Sequence, residues 1–412
     1  MARKIDRFVA GLDIGTTKIC CVIAEKNAAG RLDIIGAGRA PSRGMRKGVV
    51  VNVDQTVEAL KAAVEEAELM AGVSVERAWV GIAGGHIRGF NSRGVVAITG
   101  REREVSRDDV ERVVESARAV QLPTDRVIFH ALPRDFLMDD QEGIRDPIGM
   151  SGSRLEANVH IVTGAVSSLN NITNCVNRAG IEVADVVLEQ LAAAMATLTP
   201  DEKELGVALV DIGGGTTDLA VFMDGSICHT AVLPAGGEHF TNDIAVGLRT
   251  PTDEAERIKI KYGCALASLV EEDQTIEVPS VGGRRPRVLS RHILSEILQP
   301  RTEEIFGLLQ EEISRAGFES VLSSGLVVTG GGAMLEGMPE IAEQIFDLPV
   351  RRGMPAGVGG LTDGISSPIH ATAVGLTIYG ASAPAPAARP GVPGFMMGRM
   401  GGRVKSWFAE LF

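Results

Sequence analysis

A chain of 412 residues exceeds what one hydrophobic core usually supports, so two or more domains are expected. Its 45% hydrophobic content is too high for a disordered chain, and a net charge of −12 argues against a general nucleic-acid binder. No apolar run approaches about 18 residues, and no apolar core follows the N-terminal basic residues, so neither a membrane-spanning helix nor secretion is expected.

The first predicted element is an apolar strand, Val9 to Asp13, that turns through Gly15-Thr16-Thr17-Lys18. Strands over 32–38 and 48–53 follow, then a helix over 54–71 with Val57, Leu60, Val64, Ala67 and Met70 on one face, closed by Gly72. A strand over 78–83 ends at Gly84-Gly85, and this β–β–β–α–β order begins a mixed α/β layer. The five cysteines (Cys20, Cys21, Cys175, Cys228, Cys264) have no metal-type spacing and read as small buried hydrophobes in a reducing cytoplasm.

From about 84 to 162 the texture changes, as for an inserted subdomain. A strand over 95–98 precedes Ser106-Arg107-Asp108-Asp109, a capping-box pattern that opens a helix through Val110, Val113, Val114 and Ala117. Strands over 126–132 and 155–162 flank a stretch rich in Asp, Pro and Gly that is expected to be irregular. His130 and His160 read as partly buried strand residues, since no partner sits at metal spacing. The first layer resumes with a helix over 167–178 capped by Gly180, then 186–195, a strand turning into an alanine-rich helix. Its small residues suit either close helix contact at a hinge or plain tight packing.

The second half opens on Val207-Ala208-Leu209-Val210-Asp211-Ile212-Gly213-Gly214-Gly215-Thr216-Thr217-Asp218. Glycines remove the Cβ atoms, so backbone N–H groups can approach a phosphate, while Thr216 and Thr217 add hydroxyl donors. Asp211, at the strand end, can hold a hydrated Mg²⁺. The stretch repeats Val9 to Lys18, with Asp13 matching Asp211, and such self-similarity predicts two copies of one unit facing each other across a nucleotide cleft. A helix over 237–248 follows, then one containing Glu256 and Lys259, which share a face and read from spacing alone as a surface ion pair that could also reach one ligand. An arginine-rich stretch holds Arg284, Arg285, Arg287 and Arg291, before a long helix over 290–316 kinked near Pro300. Leu326 to Ala333 corresponds to Val80 through Gly85, and its Gly330-Gly331-Gly332 turn can lie flat against a base and ribose. Helices over 338–346 and 370–379 complete the layer.

From 381 to 402, Ala, Pro, Gly and Met dominate without periodicity, as in a disordered or extended linker. In 403–412, Val404, Trp407, Phe408, Leu411 and Phe412 fall on one helical face, accompanied by Arg403 and Lys405. From Pro384 onward the charge is +3 on a body of −15, so the tail is expected to meet something anionic.

Together these residues resemble the actin-like ATPase superfamily and, within it, the FtsA family of bacterial cell-division proteins. The two hairpins, Thr329-Gly330-Gly331-Gly332, Glu189 to Ala194 and Pro368 to Gly375 carry the superfamily likeness in order over 5–380; the 84–162 insert, the arginine stretch and the terminal helix carry the closer one. The resemblance implies an α/β, actin-like fold of two ribonuclease-H-like lobes. The first lobe would hold 1–83 and 163–198 with the insert 84–162; the second, 199–246 and 323–380 with a smaller subdomain 247–322; the linker and 403–412 would follow. It implies ATP and Mg²⁺ as ligands. Gly15, Thr16, Thr17, Lys18, Gly213, Gly214, Gly215, Thr216 and Thr217 would line the phosphates. Asp13 and Asp211 would face the metal through water, and Glu256, Lys259, Gly330, Gly331 and Gly332 the nucleoside. Glu189 would stand nearest an attacking water, with at most slow ATPase activity, and Gln190 departs from the proline common in the superfamily. Implied partners are the C-terminal tail of the tubulin-like protein FtsZ at the arginine cluster, the chain itself in a homopolymer, later division proteins at 84–162, and anionic lipid on the cytoplasmic face of the cell membrane, without nucleic acid. A sugar-kinase-like phosphotransferase and a pilus-assembly or rod-shape factor are the alternatives.

Overall fold

The structure, a computed structural model, describes residues 7–99 and 103–383. The expected helix over 403–412 and nearly all of the 381–402 linker lie outside the described residues.

β1 (Phe8–Ile14) and β2 (Lys18–Lys26) pair antiparallel, and β3 (Leu32–Pro41) extends the sheet beside β2. Where the sequence predicts a strand over 48–53, the chain instead forms a two-residue hairpin of β4 (Met45–Arg46) and β5 (Val49–Val50). The cause is local: Lys47 and Gly48 both have positive φ, 49° and 74°, as a tight hairpin turn requires. Asn52 is taken as N-cap of α1 (Val53–Ala71), its side chain accepting from the Gln55 N–H, and α1 ends at Gly72 in the left-handed conformation. β6 (Arg77–Ile82) then returns parallel to β1.

β7 (Arg88–Ala97), α2 (Arg107–Arg118), β8 (Arg126–Met138), β9 (Gln141–Ile144) and β10 (Arg154–Ala165) build a separate sheet of order β7-β10-β8-β9, with α2 against it. The Ser106–Asp109 capping box forms as the sequence predicts. Val113, Val114, Leu155 and Ile161 are fully buried in this unit's own core, each contributing about 1.5–3 kcal/mol. The first half of the stretch expected to be irregular is strand, because β8 continues through Pro133 into a turn and β9, while 145–153 is irregular apart from one isolated bridge, as expected. Proline is tolerated there because β9 pairs only with Phe136 and Met138, so Pro133 lies on an unpaired edge next to a bulge that skips Arg134.

α3 (Val166–Arg178) and β11 (Glu182–Leu188, parallel to β6) follow, placing β11 at one edge of the first sheet, whose other edge is closed beside β3 by Gly359–Gly360 late in the chain, and α4 (Glu189–Thr197) and α5 (Pro200–Leu205) lead out of it. The second sheet begins with β12 (Val207–Ile212), β13 (Thr217–Met223) and β14 (Ser226–Leu233). Then come α6 (Gly237–Gly247), α7 (Thr252–Tyr262), the hairpin β15 (Thr275–Val278) and β16 (Arg287–Ser290), and α8 (Arg291–Arg315), one helix with Pro300 inside it. β17 (Leu326–Thr329), α9 (Met338–Phe346), β18 (Val350–Arg352), β19 (Gly359–Gly360) and α10 (Ala371–Ser382) complete the described chain. α10 runs past Tyr379 to Ser382, so the first residues assigned to the linker are the end of a helix.

The order β14-β13-β12-β17-β18 repeats β3-β2-β1-β6-β11, with the same antiparallel and parallel pairings. The internal repeat read from the sequence is thus a repeat of topology. α4 and α10 cross between the two sheets at backbone contact: a Cβ on Gly375 would lie 1.8 Å from the Ala192 carbonyl oxygen.

Candidate functional site

The two predicted loops close with the same hydrogen bond, Gly15 N–H to Lys18 O at 2.9 Å and Gly213 N–H to Thr216 O at 2.9 Å. They face each other. A Cβ on Gly214 would sit 2.4 Å from Thr17 Cγ2, and one on Gly215 would sit 2.6 Å from Thr16 Oγ1, so only glycine backbone fits between the hairpins.

Behind the loops lies a carboxylate cluster. Asp13 and Asp211 end the equivalent strands β1 and β12, and both are buried. Lys18 forms an ion pair with Asp13. Thr372 Oγ1 donates to Asp211 Oδ2 at 3.1 Å. Asp218, directly opposite Asp211 in the β12–β13 ladder, accepts from Thr216 Oγ1 and from Gln190 Nε2, each at 2.9 Å. Gln190 is fully buried, and its Oε1 has no partner among the described residues. Glu189, the first residue of α4, stands against β6, where a Cβ on Gly81 would meet its Oε1 at 3.2 Å.

Burial and mutual repulsion set the protonation of this cluster. Asp211 is pushed up to about 6 by burial and by Asp13. Asp218 is pushed up to about 8 by burial and by Asp211, against the pull of the Thr216 hydroxyl. Burial, then Asp13, Asp218 and Asp211, hold Glu189 well above the usual carboxylate range. Burial opposes the charge on Lys18, but Asp13, Cys20 and Asp211 together raise its pKa. A site with this surplus of acceptors suits a hydrated divalent cation, which would relieve the repulsion. Among the described residues no three His, Cys, Asp or Glu side chains converge for direct ligation, so such a cation would keep much of its water.

On the far side of the second hairpin, Lys259 Nζ donates to Gly237 O at 2.9 Å, Thr241 Oγ1 at 2.8 Å and Glu256 Oε2 at 2.6 Å. Gly237 and Glu238 N–H groups donate to Gly213 O and Gly214 O, each at 2.8 Å. The Glu256–Lys259 ion pair therefore exists and is also packed beside the glycine loop. Gly330, at φ 83°, lies against Asp211, and Gly332 lies against Ile212; the nearest atom to a Cβ on Gly331 would be 3.9 Å away, which leaves that face open.

Three features escaped sequence reading. Asp218 carries the signal of a second acid on the returning strand, and Gly236-Gly237 that of a glycine pair at a helix start. The Lys47–Gly48 turn, whose Gly48 N–H donates to Thr16 Oγ1 at 3.0 Å, falls where the sequence predicts only the start of a strand at Gly48. Of the four arginines singled out, Arg291 donates to Tyr262 O and Gln274 Oε1, each at 2.8 Å, and pairs with Glu336, while Arg287 donates to Leu248 O. Arg284 and Arg285 are exposed, near the exposed Val281 and Val288.

Comparison with known proteins identifies the family and the fold. The family described as "Cell division protein FtsA" matches residues 208–375, and "SHS2 domain inserted in FTSA" matches 84–163. The chain is 54% identical to the cell division protein FtsA of Pseudomonas aeruginosa over 374 residues, 91% of this chain and 89% of that protein. Among solved structures, the PilM–PilN type IV pilus biogenesis complex aligns with a TM-score of 0.67 at 16% identity, over 90% of this chain and 98% of that one. MreB5 of Spiroplasma citri bound to ADP aligns with a TM-score of 0.55 at 16% identity, over 90% and 96%. At such identities these two show the fold, which is actin-like.

The raised carboxyl pKa values predict a pH effect on stability. A carboxyl whose folded pKa is raised stabilises the fold fully below its ordinary value, and that contribution is lost as pH rises through the raised one. Between pH 6 and 8, in the window set by Asp218, the ligand-free protein should lose thermal stability more steeply than Asp218→Asn. Parallel melting temperatures for the two proteins across that window, measured by circular dichroism, would refute this account of Asp218.

Proposed function

The chain belongs to the FtsA family of cell-division proteins, and from that premise we propose that it is an ATP-binding, self-assembling adaptor. In this reading it holds FtsZ filaments to the cytoplasmic face of the cell membrane at the division site and recruits later division proteins. The observation that carries the nucleotide part is the pair of matched hairpins, Gly15–Lys18 and Gly213–Thr217, opposed with glycine backbone of one against threonine side chains of the other and a buried aspartate behind each. Backbone N–H groups and threonine hydroxyls would bind the phosphates, and Asp13 and Asp211 would hold the water shell of Mg²⁺. When bound, that ion neutralises triphosphate charge. Glu256, Lys259 and Gly330 to Gly332 would take the nucleoside. Glu189 would orient the attacking water; while its carboxyl stays protonated it cannot accept a proton, which suits slow hydrolysis.

The exposed Arg284 and Arg285, with Val281 and Val288 beside them, would bind the FtsZ tail through charge steering and an apolar anchor. The 84–163 unit, folded around its own core, would receive later division proteins. Residues 403–412 would lie on the membrane. Ten residues are marginal as an isolated helix, so Trp407, Phe408, Leu411 and Phe412 need an apolar partner. One copy should bind weakly, and assembly would add avidity by presenting many copies together.

Gly214→Val should abolish ATP binding measured by calorimetry; parent-like affinity would sink the nucleotide assignment. Replacing Arg284 and Arg285 by Glu should weaken binding of an FtsZ tail peptide about tenfold or more, through loss of charge-assisted contacts. Unchanged affinity would place the tail elsewhere. Trp407→Glu should leave the protein in the supernatant after sedimentation with anionic liposomes and ATP. Pelleting at the parent's level would refute the anchor.

A further inference from the structure

We infer that the Lys47–Gly48 turn is a third nucleotide-contacting element, and that Lys47 discriminates a nucleoside triphosphate from the diphosphate; this rests on the nucleotide site proposed above. The turn is wedged among three glycine-rich segments. Gly48 donates its N–H to Thr16 Oγ1 of the first hairpin at 3.0 Å. A Cβ on Gly215, in the second hairpin, would come within 2.9 Å of Lys47 Cα. A Cβ on Gly48 would come within 2.8 Å of Gly84 Cα, in the turn that follows β6. The tip therefore touches both phosphate loops, through backbone that tolerates no bulk.

Lys47 is held at φ 49°, a left-handed conformation that glycine or asparagine would adopt at lower cost. Non-glycine residues held in this conformation cluster at ligand clamps and active sites. The charge balance indicates what Lys47 is needed for. Lys18 is engaged by Asp13, and Lys259 by Glu256 and Gly237 O. Lys47 is exposed and, among the described residues, has no ion-pair partner. Its ammonium can reach roughly 6 Å from the backbone on its four-carbon stem, enough to cross the Gly215 loop.

The direction along the second hairpin identifies the phosphate concerned. Gly213 and Gly214 accept from the start of α6, on the side where Lys259 lies, whereas Gly215 abuts Lys47. A nucleotide with its nucleoside on the Lys259 side would carry its last phosphate toward Lys47. The phosphates common to ATP and ADP would be served by the loop N–H groups. The added charge of the terminal phosphate is the part a free ammonium recognises.

The test measures MgATP and MgADP affinities of the full chain by calorimetry. Lys47→Ala is expected to weaken ATP about tenfold or more and ADP by less than about threefold. Lys47→Arg is expected to keep most of the preference. Lys47→Gly suits the left-handed backbone and so keeps the turn while removing the amine; it should show the same selective loss as Lys47→Ala. A parent-like ATP-to-ADP ratio in Lys47→Gly overturns the inference, whether Lys47→Ala binds both nucleotides normally or loses both equally. A parent chain that binds neither nucleotide overturns the site reading itself, and this inference with it.

Discussion

Asp13 and Asp211 end equivalent strands and act on each other, with Asp218 and Glu189 in the same field and Lys18 as the cation paired to Asp13. Like charges brought together out of water repel strongly, and an isolated buried carboxylate is costlier still. The fold limits the cost by three routes. Lys18 neutralises Asp13, the Thr372 hydroxyl and the Gln190 and Thr216 donors serve Asp211 and Asp218, and the acids with raised pKa retain protons. These donors come from α10, α4 and the second hairpin, so the means of tolerating the cluster also tie the connecting helices to the loops. A cation arriving there would displace protons and repulsion together.

Duplication explains why such a cluster can form at all. Each sheet supplies one strand that ends in aspartate and one glycine turn, and facing the two copies brings like groups together. The copies are not interchangeable. Lys18 in the first hairpin corresponds to Thr216 in the second, and Cys20 corresponds to Asp218. The first hairpin therefore brings the cation and the second the extra acid. Between them α4 and α10 cross at Ala192 and Gly375 with no side chain intervening. A shift of either helix is felt directly by Glu189 and Gln190 at one end of this contact and by Thr372 at the other.

Much of this was legible in the sequence, for definite physical reasons. Strands buried on both faces read as apolar runs, and the paired Asp-x-Gly turns at their ends could be matched residue by residue. The Ser106 capping box and Gly72 are local signals that packing did not override. What escaped depends on contacts distant in the chain. Nothing near Pro133 announces that β9 stops short of it. Gly48 reads as the start of a strand, and nothing local marks Lys47–Gly48 as a turn until Thr16 and Gly215 are seen to enclose it. Glu256 and Lys259 have the spacing of a surface ion pair, and only the fold of α6 onto the second hairpin brings them to the site. The arginine cluster divides for the same reason: Arg291 and Arg287 are consumed by carbonyls and acids far away in sequence.

The inserted unit adds a mechanical consequence. It is covalently part of the first half, entered from β6 and left into α3, yet it is packed against β14 of the second sheet. Asn91 Nδ2 donates to Cys228 O at 3.2 Å, so its Oδ1 is the acceptor facing His160 Nδ1 at 2.8 Å, and that nitrogen must carry the proton. Burial, then His229 and Arg134, hold the His160 pKa down to about 3, so the ring stays neutral and its Nε2 accepts from Thr230 Oγ1 at 2.9 Å. Ser226 donates to Arg134 O at 3.1 Å, and Arg145 pairs with Glu204. Each hydrogen bond is worth about 0.5–1.5 kcal/mol net, so together these contacts amount to a few kcal/mol. Differential ligand binding that shifts two-state equilibria is of the same size. Any displacement of β14 relative to the inserted unit would have to exchange these bonds, so they hold the insert and the second sheet together by that amount.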